Sequence, residues 1–453
     1  MFDVLALIQC ILLLLAATLS VQGQLHPDKP AAYARLPSLR EQAKIQDQWK
    51  DERIASVPNL LSKHGVDGWL MSMREHAEDP VWWSIKNATD FDAHRRTILL
   101  FHKRTHHPAL PNPVKWVDNT GDAWPSLLQT LDDLGLRRIA IQTSSDIAFA
   151  GALPVGELSE LSMHLGDRWT QRMVNVPELA IEYVATRVDG MLTYYRDLQE
   201  IVWAMLEEGF SHRAIEPRVT TTRDLEWWFR EKMQAQNVST WNHPRISVIV
   251  PESFPGWEGT DDIIQEGDLL HIDFGITAMG LNTDTQHMSY VLRTTEGETD
   301  APEGLKAGMA KANRMQDIVL GHMQVGRTGN EVLSLALRQM KEEGIEGQIY
   351  CHPIGDWGHD AGAVMGFTNL PEFVPILGEL QILPKTYYSI ELYAYHFVPE
   401  RNETLRFRLE ENAYWAKETE KWEFVRGRQE RLHLIDQKKR EGHPTEHPSF
   451  LVQ

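Results

Sequence analysis

From Val4 to Leu19 the chain is apolar, with Gln9 and Thr18 its only clearly polar members. It then meets the small and polar residues Ser20 to Gln24. The run is short for a spanning helix. It predicts a secretory signal over residues 1–23, cleaved before Gln24, with an uncleaved membrane anchor as the alternative. The leader lacks Lys or Arg ahead of its apolar run and carries Asp3 there. Beyond a polar stretch at 25–35, Ile45, Trp49, Ile54, Val57 and Leu61 recur at helical spacing. They predict a helix over 38–64, kinked or divided at Pro58 and ended by Gly65. Runs at 66–73, 97–102, 114–117 and 138–142 predict strands, with a helix at 126–134 between the last two. The alternation predicts a small α/β domain over residues 34–180. Amphipathic helices follow at 192–208 and 222–236, then a strand at 246–250. A hairpin, helices at 303–324 and 330–343, a Gly-rich loop and a second hairpin complete a larger unit over 181–435. Residues 436–453 are charged and Pro-containing and read as a loose tail.

The two hairpins carry the candidate chemistry. Leu269 to Phe274 reads as a strand, and a second strand from Asn282 to Leu292 contains Asp284. The midpoint between Asp273 and Asp284 falls between Ala278 and Met279. Pairing about that midpoint sets the two carboxylates opposite each other, roughly 5 Å apart at Cβ. In the second hairpin, Tyr387 to Tyr395 faces Leu405 to Glu410, and the midpoint of Glu391 and Glu410 lies in Pro399-Glu400-Arg401-Asn402, which is turn chemistry. Glu391 should therefore face Glu410. Opposed buried carboxylates repel unless a cation lies between them, and a divalent metal meets that need. A solvated acidic face is the bland alternative for either pair. Between the hairpins stands Cys351-His352-Pro353-Ile354-Gly355-Asp356-Trp357-Gly358-His359-Asp360-Ala361-Gly362, whose glycines let backbone approach a site and whose His359 can add a nitrogen ligand. Arg408, two residues before Glu410, is either an orienting partner for a ligating carboxylate or a surface cation.

Length and charge narrow the field. The chain has 453 residues and a formal net charge of −19. That length supports two or three domains with a large core. An acidic balance excludes a nucleic-acid partner read from charge, since phosphate binding needs a basic surface. Cys10 leaves with the leader, so Cys351 stands alone and reads as a packed core residue; no internal disulfide is expected. No segment after the leader is apolar enough to span a bilayer, so no stable membrane association is expected after cleavage. Sequons at Asn87, Asn237 and Asn402 are open to glycosylation in an exported chain.

The order Asp, Asp, His, Glu, Glu resembles the creatinase, aminopeptidase P and prolidase superfamily, peptidase M24. The matching contexts are His271-Ile272-Asp273-Phe274-Gly275, Asn282-Thr283-Asp284-Thr285, Gly358-His359-Asp360-Ala361-Gly362, Ser389-Ile390-Glu391-Leu392 and Arg408-Leu409-Glu410-Glu411. Arg408 looks like the aminopeptidase P and prolidase branch. The resemblance implies an α/β chain whose pita-bread catalytic domain, with a curved antiparallel sheet, follows a smaller α/β domain. It implies two divalent metal ions, manganese first and cobalt or zinc next, held by Asp273, Asp284, His359, Glu391 and Glu410. Asp284 and Glu410 would bridge the ions, and a bridging hydroxide would attack an N-terminal peptide bond, typically one before proline. Glu391 would be the general base, His243 is similar to the family's upstream active-site His, and His352 is offered as a further substrate contact. Three departures stand out. Gln286-His287 replaces Thr-Arg, Gly366 stands where a second His is expected, and a Pro/Gly-rich insert at 251–259 lengthens the path from His243 to Asp273. The substrate is expected to be a peptide or a small amide. A non-peptidase hydrolase of a C–N compound on the same fold is the first alternative, and a binding module the second. A homodimer stays open as an assembly.

Overall fold

The computed structural model describes residues 29–103, 110–251 and 261–437. The expected leader with Cys10, most of the insert before Asp273 and all but the first two residues of the expected tail lie outside the described residues. Among the described residues no helix is long and apolar enough to cross a membrane.

The N-terminal part is built on a five-stranded sheet of order β3-β2-β1-β4-β5. Its strands are β1 (Gly68–Arg74), β2 (Arg96–His102), β3 (Val114–Asp118), β4 (Ile139–Ile141) and β5 (Met173–Asn175). The pairs β1–β2 and β2–β3 are antiparallel, while β1–β4 and β4–β5 are parallel. Helix α1 (Leu39–Lys63) starts at Ser38, whose side chain accepts from the Glu41 amide. It runs unbroken through Pro58, contrary to the expected division. Pro58 is buried beside Val57 and Leu61, so packing of that face holds the helix across the missing N–H. A short α2 (Trp82–Ile85) and α3 (Ala123–Leu134) follow. Two further helices escaped the sequence pattern, α4 (Val155–Thr170) and α5 (Pro177–Ala185). Helix α5 buries Leu179, Ala180, Ile181, Tyr183, Val184 and Ala185, which leaves little polar face to give it a helical period.

The C-terminal part is organised by a nine-stranded sheet. Its main path runs β11 (Gly347–Ile349), β13 (Tyr387–Val398), β14 (Glu403–Ala416), β10 (Thr285–Val291), β7 (Leu269–Phe274) and β6 (Arg245–Val248). β12 (His352–Ile354) pairs with β13, β15 (Lys421–Phe424) with β14, and β16 (His433–Ile435) with β10, the last in parallel. A small separate hairpin joins β8 (Thr277–Ala278) to β9 (Leu281–Asn282). Helices cover one face of the large sheet. Helices α6 (Met191–Gly209) and α7 (Thr222–Ala235) share a core with Leu270, Ile272 and Phe274, and Phe229 of α7 meets the Phe274 ring at 5.0 Å. Helices α8 (Glu303–His322) and α9 (Gly329–Glu342) bring Met309, Ala312 and Val332 onto Ile390, Leu392, Phe407 and Leu409. Because strand side chains alternate, the intervening residues Asp273, Gln286, Glu391 and Glu410 are presented on the other face. Cys351 is a free, fully buried thiol within this core.

Candidate metal centre

Strand register places four acceptor-rich side chains in one transverse row. Asp273 on β7 pairs with Gln286 on β10, Gln286 pairs with Glu410 on β14, and Glu410 pairs with Glu391 on β13. Arg245 on β6 is the cross-strand partner of Asp273 at the end of the row. The second hairpin therefore closes about Pro399 to Asn402, with Val398 paired to Glu403. The first hairpin does not have the expected register. Its turn is centred on Met279 and Gly280, both with positive φ (56° and 74°), the two-residue type that a right-twisted hairpin favours. That moves the turn one residue along from the arithmetic midpoint. Asp273 consequently faces Gln286, and Asp284 lies in the gap between β9 and β10.

Asp284 is held there by a side chain acting as a strand. Asn412 donates to the Asp284 carbonyl at 2.8 Å and accepts from the Asp284 amide at 3.2 Å. Asn412 is itself fixed by Tyr195 and Gln199 of α6. The arrangement carries the Asp284 carboxylate diagonally toward Asp273. Oxygens of Asp273, Asp284 and Glu410 come within 4.8 Å of one another.

The Gly-rich loop supplies two imidazoles. His352 begins β12 and is buried, whereas His359 is exposed at the mouth of the site. The rings are 4.7 Å apart and nearly perpendicular. His352 Nδ1 lies 2.9 Å from the Pro353 carbonyl, which can only accept, so Nδ1 carries a proton. Its Nε2 then looks at three carboxylates, 3.6 Å from Glu410, 3.7 Å from Asp284 and 3.8 Å from Glu391. Ligand atoms of Asp284, His352 and His359 form a second group within 4.8 Å, and those of His352, Glu391 and Glu410 a third.

The loop is braced from two sides. Trp241 donates from Nε1 to the Thr283 carbonyl at 2.9 Å and lies against Gly358, where an added Cβ would meet the indole at 2.2 Å. Its ring also meets His359 edge-on at 5.2 Å. On the other side Arg53 of α1 and Arg187 both pair with Asp356, and Arg187 also pairs with Asp360. Arg53 of the N-terminal unit and Arg187 at the start of the larger one thus hold the loop three residues before and one residue after His359.

Electrostatics in the cluster follow from burial among like charges. Burial, and then the neighbouring Glu410 carboxylate, pushes Asp273 up to about 7. Asp284 and Glu391 are driven well above the usual carboxylate range by the same two causes in the same order. His359, exposed at its outer edge but partly desolvated by the packed loop around it, is lowered first by that desolvation and then by His352. Among buried polar atoms without a hydrogen-bond partner are Asp273 Oδ1, Asp284 Oδ1 and His352 Nε2. Clustered oxygen and imidazole acceptors that need a cation, with these atoms unpartnered, fit a divalent metal site.

Of the residues singled out from sequence, the structure gathers Asp273, Asp284, His352, His359, Glu391 and Glu410, with Arg408 on the same face and its charge felt at Glu391. His243 is not among them. It is exposed on the side of α7, 3.2 Å from Arg230 and 3.6 Å from Glu226, against Trp227. Sequence reasoning missed Gln286 as a site residue and the brace formed by Arg53, Arg187 and Trp241. In the sequence Gln286 stands out only as a departure, because the register that centres it depends on the turn at Met279 and Gly280.

A cavity of about 570 Å³ opens on the cluster, and Asp273, His352, His359 and Glu391 share its lining with apolar Ile147 and Phe149 of the N-terminal unit. A second cavity of about 710 Å³ reaches His359 from the other side and is lined by Trp49, Trp83, Trp241 and Trp357.

Residues 193–414 match the model of metallopeptidase family M24. No curated protein sequence matches the chain. Solved structures do. The X-Pro aminopeptidase of Thermotoga maritima MSB8 superposes with a TM-score of 0.59 at 15% identity, covering 82% of this chain and 98% of its own. The Xaa-Pro dipeptidase of Bacillus anthracis gives 0.58 at 16% identity over 85% and 99%. The N-terminal domain of the FACT complex subunit SPT16 of Cicer arietinum gives 0.55 at 10% identity over 86% and 99%. Likeness at these identities establishes a shared fold, and one fold hosts several functions.

Proposed function

Since residues 193–414 belong to metallopeptidase family M24, we propose that this metallopeptidase is a two-metal enzyme that cleaves the first peptide bond of its substrate, with a preference for Xaa-Pro. The observation that carries the reading is the convergence of His352 Nε2 with the carboxylates of Asp284, Glu391 and Glu410, 3.6 to 3.8 Å away and with no hydrogen-bond partner of its own. Asp273, Asp284, His359, Glu391 and Glu410 would hold the ions, manganese first among the candidates, and the buried His352, which belongs to two of the three ligand groups, would join them. Bound there, such ions acidify a water molecule and polarise the scissile carbonyl.

The chain's own groups do the remaining work. Glu391 would take the proton that water loses. Arg408 offsets the charge on Glu391 from the same sheet face. The apolar cavity beside Glu391 accommodates a small apolar or cyclic side chain, and the tryptophan-lined cavity beyond His359 leaves room for the rest of a peptide. We also propose that the leader at 1–23 exports the chain. The sequons at Asn87, Asn237 and Asn402 would then meet the glycosylation machinery on exposed residues.

Metal analysis of the purified chain together with a panel of Xaa-Pro and Xaa-Ala peptides tests the reading. Bound metal and selective loss of the residue before proline are expected. Bound metal with no peptide cleaved would shift the assignment to a hydrolase of small C–N compounds. No metal bound under saturating Mn, Co and Zn would remove the site itself.

A further inference from the structure

Gln286 stands in the middle of the carboxylate row, where a fourth acid would add to the repulsion and an apolar residue would leave its neighbours without a donor. Its side-chain amide makes three hydrogen bonds within the site. Nε2 donates to Glu410 Oε2 at 2.9 Å and to Glu391 Oε1. Oε1 lies 2.8 Å from His271 Nε2. As ligating carboxylates these acids only accept, so the amide nitrogen faces them and its oxygen faces His271, which then carries its proton on Nε2. Gln286 and His271 are both buried, at 2% and 6% exposure, so neither arrangement is averaged by solvent.

The consequences reach Glu391 and Glu410, which share one ligand group with His352, Glu410 belonging to a second group as well. Glu391 and Glu410 are direct cross-strand partners, yet the amide spans them and satisfies one oxygen of each. Ser389 donates to the other oxygen of Glu410, Oε1. On Glu391 the other oxygen, Oε2, is the one that lies 3.8 Å from His352. Fixing Oε1 therefore orients Oε2 toward the imidazole side of the site.

We propose that Gln286 is a positioning residue that locks Glu391 and Glu410 in one ligating orientation, with His271 setting the direction of its amide, and so governs affinity for the ion those two acids share. This inference rests on the metal-centre reading above. Outer-sphere partners of metal ligands typically change metal affinity by about 10- to 100-fold.

Calorimetric titration of Mn²⁺ into the metal-free full chain tests it. Gln286→Leu keeps the bulk and removes the donors, and is expected to weaken one of the Mn²⁺ dissociation constants about 10- to 100-fold, with the other changing less. A role in packing alone would lower the melting temperature of the metal-free protein and leave those constants in place. Should Gln286→Leu fail to fold, His271→Leu carries the test, with a smaller loss in the same constant. Wild-type Mn²⁺ affinity in the folded variants would overturn the proposal. If the wild-type chain binds no Mn²⁺, the metal centre falls and this inference with it. If it binds Mn²⁺ but cleaves no Xaa-Pro peptide, only the peptidase reading falls.

Discussion

Trp241 lies so close to Gly358 that a methyl group there would sit 2.2 Å from the indole ring. That contact sets the path of the loop one residue before His359. Gly358→Ala must push the loop or the indole away, and either shift moves an imidazole that faces the cluster. The variant is expected to fold, with Mn²⁺ affinity and peptide turnover reduced about 10-fold or more. Metal titration and kinetics on the same preparation check it.

Arg187 is 3% exposed and pairs with both Asp356 and Asp360. Removing one partner of a buried pair leaves charge uncompensated, at a cost of about 3–5 kcal/mol. Arg187→Met should lower stability by that order in urea unfolding. Combining it with Asp360→Asn should recover part of the loss, because the acid left unpaired is then neutral. Equal stabilities for the single and double variants would show that the brace carries no coupling.

Asp79 provides a pH test far from the metal centre. It is 4% exposed, and its carboxylate accepts from the Val81 amide and from Gln142 at 2.9 and 3.1 Å. Burial outweighs those bonds and raises it to about 6 from the ordinary 3.8. A carboxyl with a raised folded pKa favours the folded state most when protonated in both states. Its contribution is therefore full below about pH 4 and is lost as pH rises through about 6. Asp79→Asn should remove that slope, and the difference in unfolding free energy between the two proteins should change by about 2–3 kcal/mol over this window. Chemical denaturation at pH 4, 5, 6 and 7 measures it.

How far the sequence could carry this account depended on where the determining interaction was local. Glu391 and Glu410 could be set face to face because Pro399 to Asn402 closes the turn symmetrically, and a hairpin's register follows from its turn. The same reasoning failed by one residue in the first hairpin. There the positive-φ pair Met279 and Gly280 decides the centre, and Met gives no signal for that conformation. The slip hid the role of Gln286, since a shift of one in the turn changes which residue faces Asp273. Helix α5 gave no periodic signal because nearly all of it is buried, although Pro177 at its first turn was an available start mark. The grip of Arg53 and Arg187 on the His359 loop spans more than 160 residues of separation, with Arg53 of α1 303 residues from Asp356. Contacts of that separation leave no trace in local pattern.

Asp284 tests the centre most directly. It belongs to two of the three ligand groups, is fully enclosed, and has its backbone held by Asn412, so its side chain can be changed without disturbing a strand ladder. Asp284→Asn preserves shape and removes the charge. The measurement is hydrolysis of an Xaa-Pro tripeptide by wild type and Asp284→Asn, each loaded with Mn²⁺, with bound metal quantified in the same samples. The account predicts a wild-type enzyme that releases the first residue, and a folded variant with less bound metal and turnover lower by about 1,000-fold or more, equivalent to a barrier about 4 kcal/mol higher. Equal turnover in the two proteins at equal metal content would contradict it.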